Sequence, residues 1–306
     1  MNSYTTTILI LTLNAENDIE NIFEKINFNK YKVIIIDSES DDDTIKVCQK
    51  YNCQIEVIRR RNFNHGATRE YARKLTDSDI VVFLTQDAIP ISEDSIDKLI
   101  LPLIEGRASV SYARQLPKKG SSLFESFPRE YNYGTESQIR SIDDIDQYGV
   151  YTFFSSDSCS AYINRDLDLI GGIKPTIMSE DYFNAAKLLS TGKKIAYVSE
   201  AQVIHSHRYS LTQEFKRMFD TGYSRALRPW VQELVGNTNK RGFEYSVALI
   251  KKLMFENPFL IPYALVQTIV KYIGYKVGFH SFKFPTWFKK IFSGQKYYWS
   301  SKYYVK

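Results

Sequence analysis

Five places in this sequence combine residue types and spacings that could do chemistry. The first is Asp87, which follows the apolar run Ile80-Val81-Val82-Phe83-Leu84 in the segment Leu84-Thr85-Gln86-Asp87-Ala88-Ile89-Pro90. Five consecutive β-prone residues read as a strand buried on both faces, and Pro90 stops it shortly afterwards. A carboxylate at the carboxyl end of such a strand stands where open α/β sheets bind ligands, and it can hold a divalent cation and through it a substrate phosphate. The same residue could instead cap a helix beginning near Ser92.

The second place is Asp37-Ser38-Glu39-Ser40-Asp41-Asp42-Asp43-Thr44, again at the end of a buried strand. Asp37 there could hydrogen-bond a nucleobase or ribose, whereas Asp41 and Asp42 suit the start of the next helix. In Phe63-Asn64-His65-Gly66-Ala67-Thr68-Arg69 a glycine opens a helix and an arginine lies one turn inside. Free N–H groups backed by a guanidinium suit a diphosphate, and an ordinary surface helix is the alternative. Ser179-Glu180-Asp181 brings two adjacent carboxylates to a helix start. One could act as a general base towards a hydroxyl, or both could simply cap. Finally, His205 and His207 are two of only four histidines. Two apart in an extended chain, they face one side, where both imidazoles could approach one cation or phosphate.

The elements that must position these residues alternate. Strands are predicted at residues 6–13, 31–36, 55–58 and 80–84, with helices at 16–26, from about 44 to 52 and at 67–75, which calls for a parallel sheet with right-handed crossovers. Beyond it the pattern predicts a helix at 96–104, a strand at 108–113, a mobile polar segment at 121–148 and short strands at 151–154 and 159–164. A helix at 179–191, strands at 195–198 and 203–205 and a helical stretch at 211–235 follow. After Gly236-Asn237-Thr238-Asn239 helices are expected at 243–255 and 261–278.

The 306 residues suffice for one large domain with an appendage, and 43% hydrophobic with 25% charged residues is an ordinary globular composition. Three cysteines, Cys48, Cys53 and Cys159, have no metal-ligand spacing, which points to a reducing cytosolic compartment. The first strand has no basic leader before it, so export is not expected. From Lys240 onwards 12 Lys/Arg face two acids, a net +10, which leaves the first 239 residues at −5. Eighteen of the 44 aromatic residues also lie between Phe243 and Tyr304. Such a tail suits anionic lipid or another polyanion, and its longest uncharged run, 14 residues, is too short to span a bilayer.

Taken in order, Thr12-Leu13-Asn14-Ala15-Glu16, the Asp37 segment, the His65 to Arg69 segment, Gln86-Asp87-Ala88, Met178-Ser179-Glu180-Asp181 and His205-Ser206-His207 resemble glycosyltransferase family 2, and within it a bacterial rhamnosyltransferase-like branch. The resemblance implies a GT-A fold: a Rossmann-like, mostly parallel α/β sheet flanked by helices over residues 1–239. Residues 1–90 would form its nucleotide-binding half and 91–239 its acceptor-binding half, with a helical, basic and aromatic extension at 240–306 for membrane association or oligomerisation.

It implies that Thr12, Asn14, Glu16, Asp37, His65, Gly66, Arg69, Gln86 and Asp87 bind a nucleotide-sugar donor and that Asp157 and Glu180 meet the acceptor. Asp181 would be the base, and Asp87, His205 and His207 would hold Mg²⁺ or Mn²⁺. The reaction implied is inverting transfer, with rhamnose a candidate sugar, to a lipid-linked oligosaccharide or polysaccharide at the cytoplasmic face of the bacterial membrane. Homo-oligomers through the extension are a further expectation, and nucleic acid is not an expected partner. Two departures from the family pattern are the single acid in Gln86-Asp87-Ala88 and Asp43 where glycine is usual. A nucleotidyltransferase is a rival, but its Gly-rich, lysine-bearing start is absent. From another class, a non-catalytic glycan- or polyanion-binding module would leave Asp87 and Asp181 merely structural.

Overall fold

Strands that are apolar on both faces need helices on both sides, and the chain supplies them. A computed structural model describes residues 4–236 and 240–304; the composition change expected at Asn237-Thr238-Asn239 lies outside the described residues. In chain order the elements are β1 (Thr6–Thr12), α1 (Ile19–Phe23), β2 (Lys32–Asp37), α2 (Thr44–Cys48), β3 (Gln54–Val57), α3 (His65–Arg73), β4 (Ile80–Thr85), β5 (Ile89–Pro90), α4 (Ser95–Ile104), β6 (Val110–Leu116), α5 (Leu123–Asn132), β7 (Gln138–Arg140) and α6 (Ile145–Tyr148). Then come β8 (Cys159–Ile163), α7 (Asn164–Leu169), α8 (Glu180–Ser190), β9 (Ile195–Ile204), α9 (Leu211–Ala226), α10 (Pro229–Val235), α11 (Lys240–Glu256), α12 (Ile261–His280) and α13 (Thr286–Phe292).

The chain forms two compact units. The first comprises the residues up to Asp143, Phe153–Pro175 and Glu180–His207; the second comprises Asp144–Thr152, Thr176–Ser179 and the chain from Arg208. In the first, a sheet of nine strands among the described residues has the order β3-β2-β1-β4-β8-β6-β9-β5, with β7 also on β9. β1 to β4 run parallel, as do β6 and β9, and antiparallel β8 lies between β4 and β6. The carboxyl ends of β1, β2, β4, β6 and β9 and the amino end of β8 therefore share one rim. Ile8 and Ile10 of β1, Val33 and Ile35 of β2 and Val82 and Leu84 of β4 pack with Ile19, Ile22 and Phe23 of α1 and Ile96, Leu99 and Leu103 of α4.

Several sequence expectations change. The helix predicted at 16–26 shrinks to α1, because Glu16 is occupied elsewhere: its backbone N–H donates to Asp42 Oδ2 and its carboxylate accepts from the Asp43 N–H. Ile89 and Pro90 do not simply end the ladder but pair with Ile204 and Val203 of β9. The segment expected to be mobile holds α5, β7 and α6, with Gln138–Arg140 paired to β9. Residues 149–153 are a 3-10 helix instead of a strand. The two short strands expected near residue 200 are one, β9, whose register against β6 shifts between the pairs Ala113–Val198 and Arg114–Gln202. The last division between the two units falls at His207/Arg208.

The second unit is helical. Ile177 packs there with Phe219, Tyr223, Tyr298 and Trp299, so part of the aromatic tail is core. Gly222 in α9 and Gly278 in α12 let the two helices meet backbone to backbone: a Cβ on Gly222 would lie 2.1 Å from the Tyr275 carbonyl oxygen, and one on Gly278 would lie 2.0 Å from that of Phe219. Replacing either by alanine should destabilise this unit by about 1–3 kcal/mol through overpacking. Gly242→Ala in α11, where an added Cβ meets nothing within 4 Å, should instead raise the thermal midpoint. Thermal melts of the three variants check the contrast.

Candidate active site

At the rim, side chains of the β1 and β2 ends tie two loops together. Asp37, fully buried, accepts from the hydroxyls of Thr12 (3.0 Å) and Ser40 (2.5 Å) and from the Ser40 N–H (2.9 Å). Asn14 donates its N–H to Ser40 Oγ and accepts from the Asp41 N–H. Gln86, at the end of β4, accepts from the Leu13 N–H and donates to the Leu13 carbonyl. Thr12, Asn14, Glu16, Asp37 and Gln86 thus come together, held by one another and by backbone. Three residues other than glycine have positive φ among the described residues: Asn14, itself a candidate site residue, Glu39, two residues after Asp37, and Ser179, next to Glu180. Left-handed backbone of this kind clusters at functional sites. Asp43, which stands where glycine is usual in the family, has an ordinary φ of −82°. It is Glu39 that takes the left-handed form, with its carboxylate accepting from the Arg60 N–H.

Asp87, His205 and His207 meet beside Gln86. His205 Nε2 lies 3.5 Å from Asp87 Oδ1, His207 Nε2 lies 3.3 Å from Asp87 Oδ2, and the two Nε2 atoms are 2.9 Å apart. One ligand atom from each lies within 4.8 Å of the others. Burial alone would raise the Asp87 pKa, but the hydrogen bond from His205 and the charges of both imidazoles outweigh it, so the carboxyl is held well below the usual range. An ionised carboxylate converging with two imidazoles has the donor set and spacing to hold a divalent cation.

Arg69, expected at a diphosphate, lies among buried acids in the structure. The start of α3 is capped by Asn64, whose side chain accepts from the Ala67 N–H. Arg69, only 5% exposed, turns inward over the Phe83 ring, with Nη1 2.8 Å from Glu180 Oε1 and Nε 3.5 Å from Asp157 Oδ2. Its charge is shared between these two acids. Gly66 is required by packing, since a Cβ there would lie 2.0 Å from the Lys174 carbonyl oxygen. The His65 ring packs edge-on to Phe63.

Asp157 and Glu180, expected to meet an acceptor, are buried beside Arg69, and Asp157 also accepts from Ser160 and Tyr162. Asp181, next along α8, is half-buried, and its Oδ1 accepts from the Tyr182 N–H. Burial, then the charges of Glu180 and Asp157, push its pKa up to about 8, against the pull of Arg69. A carboxylate poised near neutrality is suited to general-base work.

Residues the sequence reading missed join these groups. Gln115 of β6 bonds His205 on one side and Ser156 on the other, and Ser156 adjoins Asp157. No local pattern reveals Gln115, because its partner is 90 positions away. Arg69→Met would leave Glu180 and Asp157 buried without their countercharge. It should cost about 3–5 kcal/mol of stability, read as a large fall in the thermal midpoint. A residue whose only role was to contact donor would lower donor affinity without that fall.

Comparison with known proteins agrees with this geometry. The family model described as glycosyl transferase family 2 matches residues 7–170. The chain is 38% identical over 301 residues to the O-antigen chain rhamnosyltransferase WbaN of Salmonella anatum, and 37% identical over 301 residues to RfbN of Salmonella typhimurium, covering 96% of both chains in each case. Among solved structures, the mannosyltransferase PcManGT from Pyrobaculum calidifontis, in complex with GDP-Man and Mn²⁺, superposes with a TM-score of 0.60 over 90% of this chain and 88% of its own, at 12% identity. The rim of strand ends, with its acidic and imidazole clusters, is thus carried on the GT-A fold, and the chain belongs to glycosyltransferase family 2.

Proposed function

We propose that the protein is an inverting rhamnosyltransferase of O-antigen synthesis, moving rhamnose from a nucleotide-diphosphate donor to a lipid-linked or polysaccharide acceptor. The observation that carries this reading is the 38% identity, over nearly the whole of both chains, to an O-antigen chain rhamnosyltransferase. In the reaction Asp181 takes the proton from an acceptor hydroxyl. The freed oxygen attacks the anomeric carbon from the face opposite the diphosphate, forming the new C–O bond as the old one breaks and the nucleotide diphosphate leaves. Asp87, His205 and His207 would hold a divalent cation, whose charge would offset that developing on the leaving group. Two imidazoles beside one carboxylate favour Mn²⁺ over Mg²⁺. The hydrogen-bonded loops of Asn14, Glu16 and Asp37 form the nucleoside side of the site.

Asp181 must be ionised to act, so transfer should climb with pH and level off above about 8. Asp181→Asn should cut transfer by ~10²–10⁴-fold while leaving donor binding intact. The folded protein holds this proton to a higher pH than the unfolded chain does, so the wild type loses stability as pH rises from the ordinary carboxylate range towards 8, and Asp181→Asn should not. Assays with a panel of nucleotide sugars and Mn²⁺, with melts over the same pH range, check both; equal transfer by the variant would remove Asp181 as the base.

The protein works at the inner face of the cell membrane, and the second unit supports this. On α12, Leu265, Val266, Ile269, Tyr272 and Ile273 follow helical spacing along one exposed face, while Ala264, Gln267, Gly274 and Gly278 are buried. Phe255 and Phe259 are 89% and 93% exposed nearby in sequence. Among the described residues no helix is long and apolar enough to cross a membrane. The excess of lysine and arginine in this region disfavours pairing of two copies through the face and favours an anionic lipid surface. Full-length protein should co-sediment with phosphatidylglycerol-rich vesicles and less with neutral ones. Ile269→Glu with Tyr272→Glu should abolish binding but spare donor hydrolysis; retained binding would remove this role for α12.

A further inference from the structure

The cluster of Asp87, His205 and His207 works as a cation site only if each imidazole turns a lone pair, and not an N–H, towards the shared point. For His205 the surrounding hydrogen bonds decide which. Gln115, 4% exposed, lies with its side-chain oxygen 3.0 Å from His205 Nδ1 and its nitrogen 2.8 Å from Ser156 Oγ. Ser156 in turn donates its hydroxyl to Ser158 Oγ at 3.3 Å, so its oxygen is free to accept from the Gln115 amide. That fixes the amide: the nitrogen faces Ser156 and the oxygen faces the imidazole. An amide oxygen can only accept, so Nδ1 carries a proton, and in the neutral ring that leaves the lone pair on Nε2. Arg129 Nη2 competes for Nδ1 from 3.5 Å, but its stronger bond is made by Nε to the His205 carbonyl, at 2.9 Å. The nearer partner of Nδ1 is Gln115.

The fold makes this meeting specific. Gln115 pairs with Val203 in the ladder, and His205, the residue just after β9 ends, lies two positions further on towards the same side. That register holds only beyond the shift between Ala113 and Arg114, where β9 carries Ser199, Glu200 and Ala201 without β6 partners. Irregularities of this kind re-aim side chains next to active sites.

We propose that Gln115 is a positioning residue that holds His205 in the Nδ1–H form with its ring fixed, so that Nε2 is presented to a divalent cation shared with Asp87 and His207. The inference rests on the cation-site reading above, and it gives the site a second layer that the ligand residues alone do not supply.

Two measurements on the metal-free and Mn²⁺-titrated full chain separate the inference from that reading. Nitrogen-detected NMR of the histidines should show His205 of the wild type as the Nδ1–H tautomer, and calorimetric titration should give one Mn²⁺ site. Gln115→Leu should release the tautomer and weaken Mn²⁺ by ~10–100-fold. Gln115→Glu, which still accepts from Nδ1, should keep the affinity within a few-fold. Should Gln115→Leu fold poorly, Ser156→Ala, which removes only the far anchor of the amide, should weaken Mn²⁺ in the same direction. Unchanged tautomer and affinity in Gln115→Leu would overturn the proposal, as would a loss of thermal stability with no change in either. A wild type that holds the tautomer but binds no Mn²⁺ would overturn the cation-site reading, and with it the purpose assigned to Gln115.

Discussion

One buried guanidinium holds together groups that would otherwise repel. Asp157, Glu180 and Asp181 come from two segments distant in sequence, and Arg69 is the cation that the structure brings among them. Around it the local rules fall into place. Asn64 caps α3, Gly66 lets that helix approach the Lys174 carbonyl, and Glu180 fixes the first residue of α8. Asp181 inherits its position from that anchor. Burial, and then the charges of Glu180 and Asp157 that one cation does not cancel, keep a proton on Asp181 up to mildly alkaline pH.

The acid cluster and the imidazole cluster are separate in their chemistry but joined by short steps of structure. Gln86 belongs to the network that ties β1 to β4, and Asp87 is the next residue. His205 reaches Gln115, Gln115 reaches Ser156, and Asp157 follows directly. Antiparallel β8 makes this compactness available, because it begins at the rim where its neighbours β4 and β6 end. The residues just before it, Ser155 to Ser158, are thereby delivered to the same edge as the strand-end acids.

Much of this was legible in the sequence wherever the signal is local. Five apolar residues at Ile80 mark a buried strand, the two histidines mark one side of an extended chain, and the glycine before Arg69 marks a helix start. What local pattern does not carry is the partner across the fold. Arg69 looks like a phosphate ligand until Asp157 is seen beside it, 88 positions on. Gln115 reads as an ordinary polar residue near a strand end until the β9 register brings His205 to it. The strand expected at residues 151–154 failed for a related reason: Gly149, with a φ of 51°, starts a tight helical turn that aromatic β-propensity does not foretell.

The segment Thr176–Ser179 leads directly into the acid-bearing helix, yet it belongs to the second unit. Thr176 and Met178 are hydrogen-bonded to Ser224, and Ile177 packs against Tyr298 and Trp299. During synthesis on the ribosome those aromatic residues emerge more than a hundred codons after it, so the lead-in to Asp181 waits for nearly the whole remaining chain. The sheet and its imidazole cluster can be complete while this lead-in still lacks its partners. In a nascent chain the imidazole cluster can therefore form before the approach to Asp181 is set.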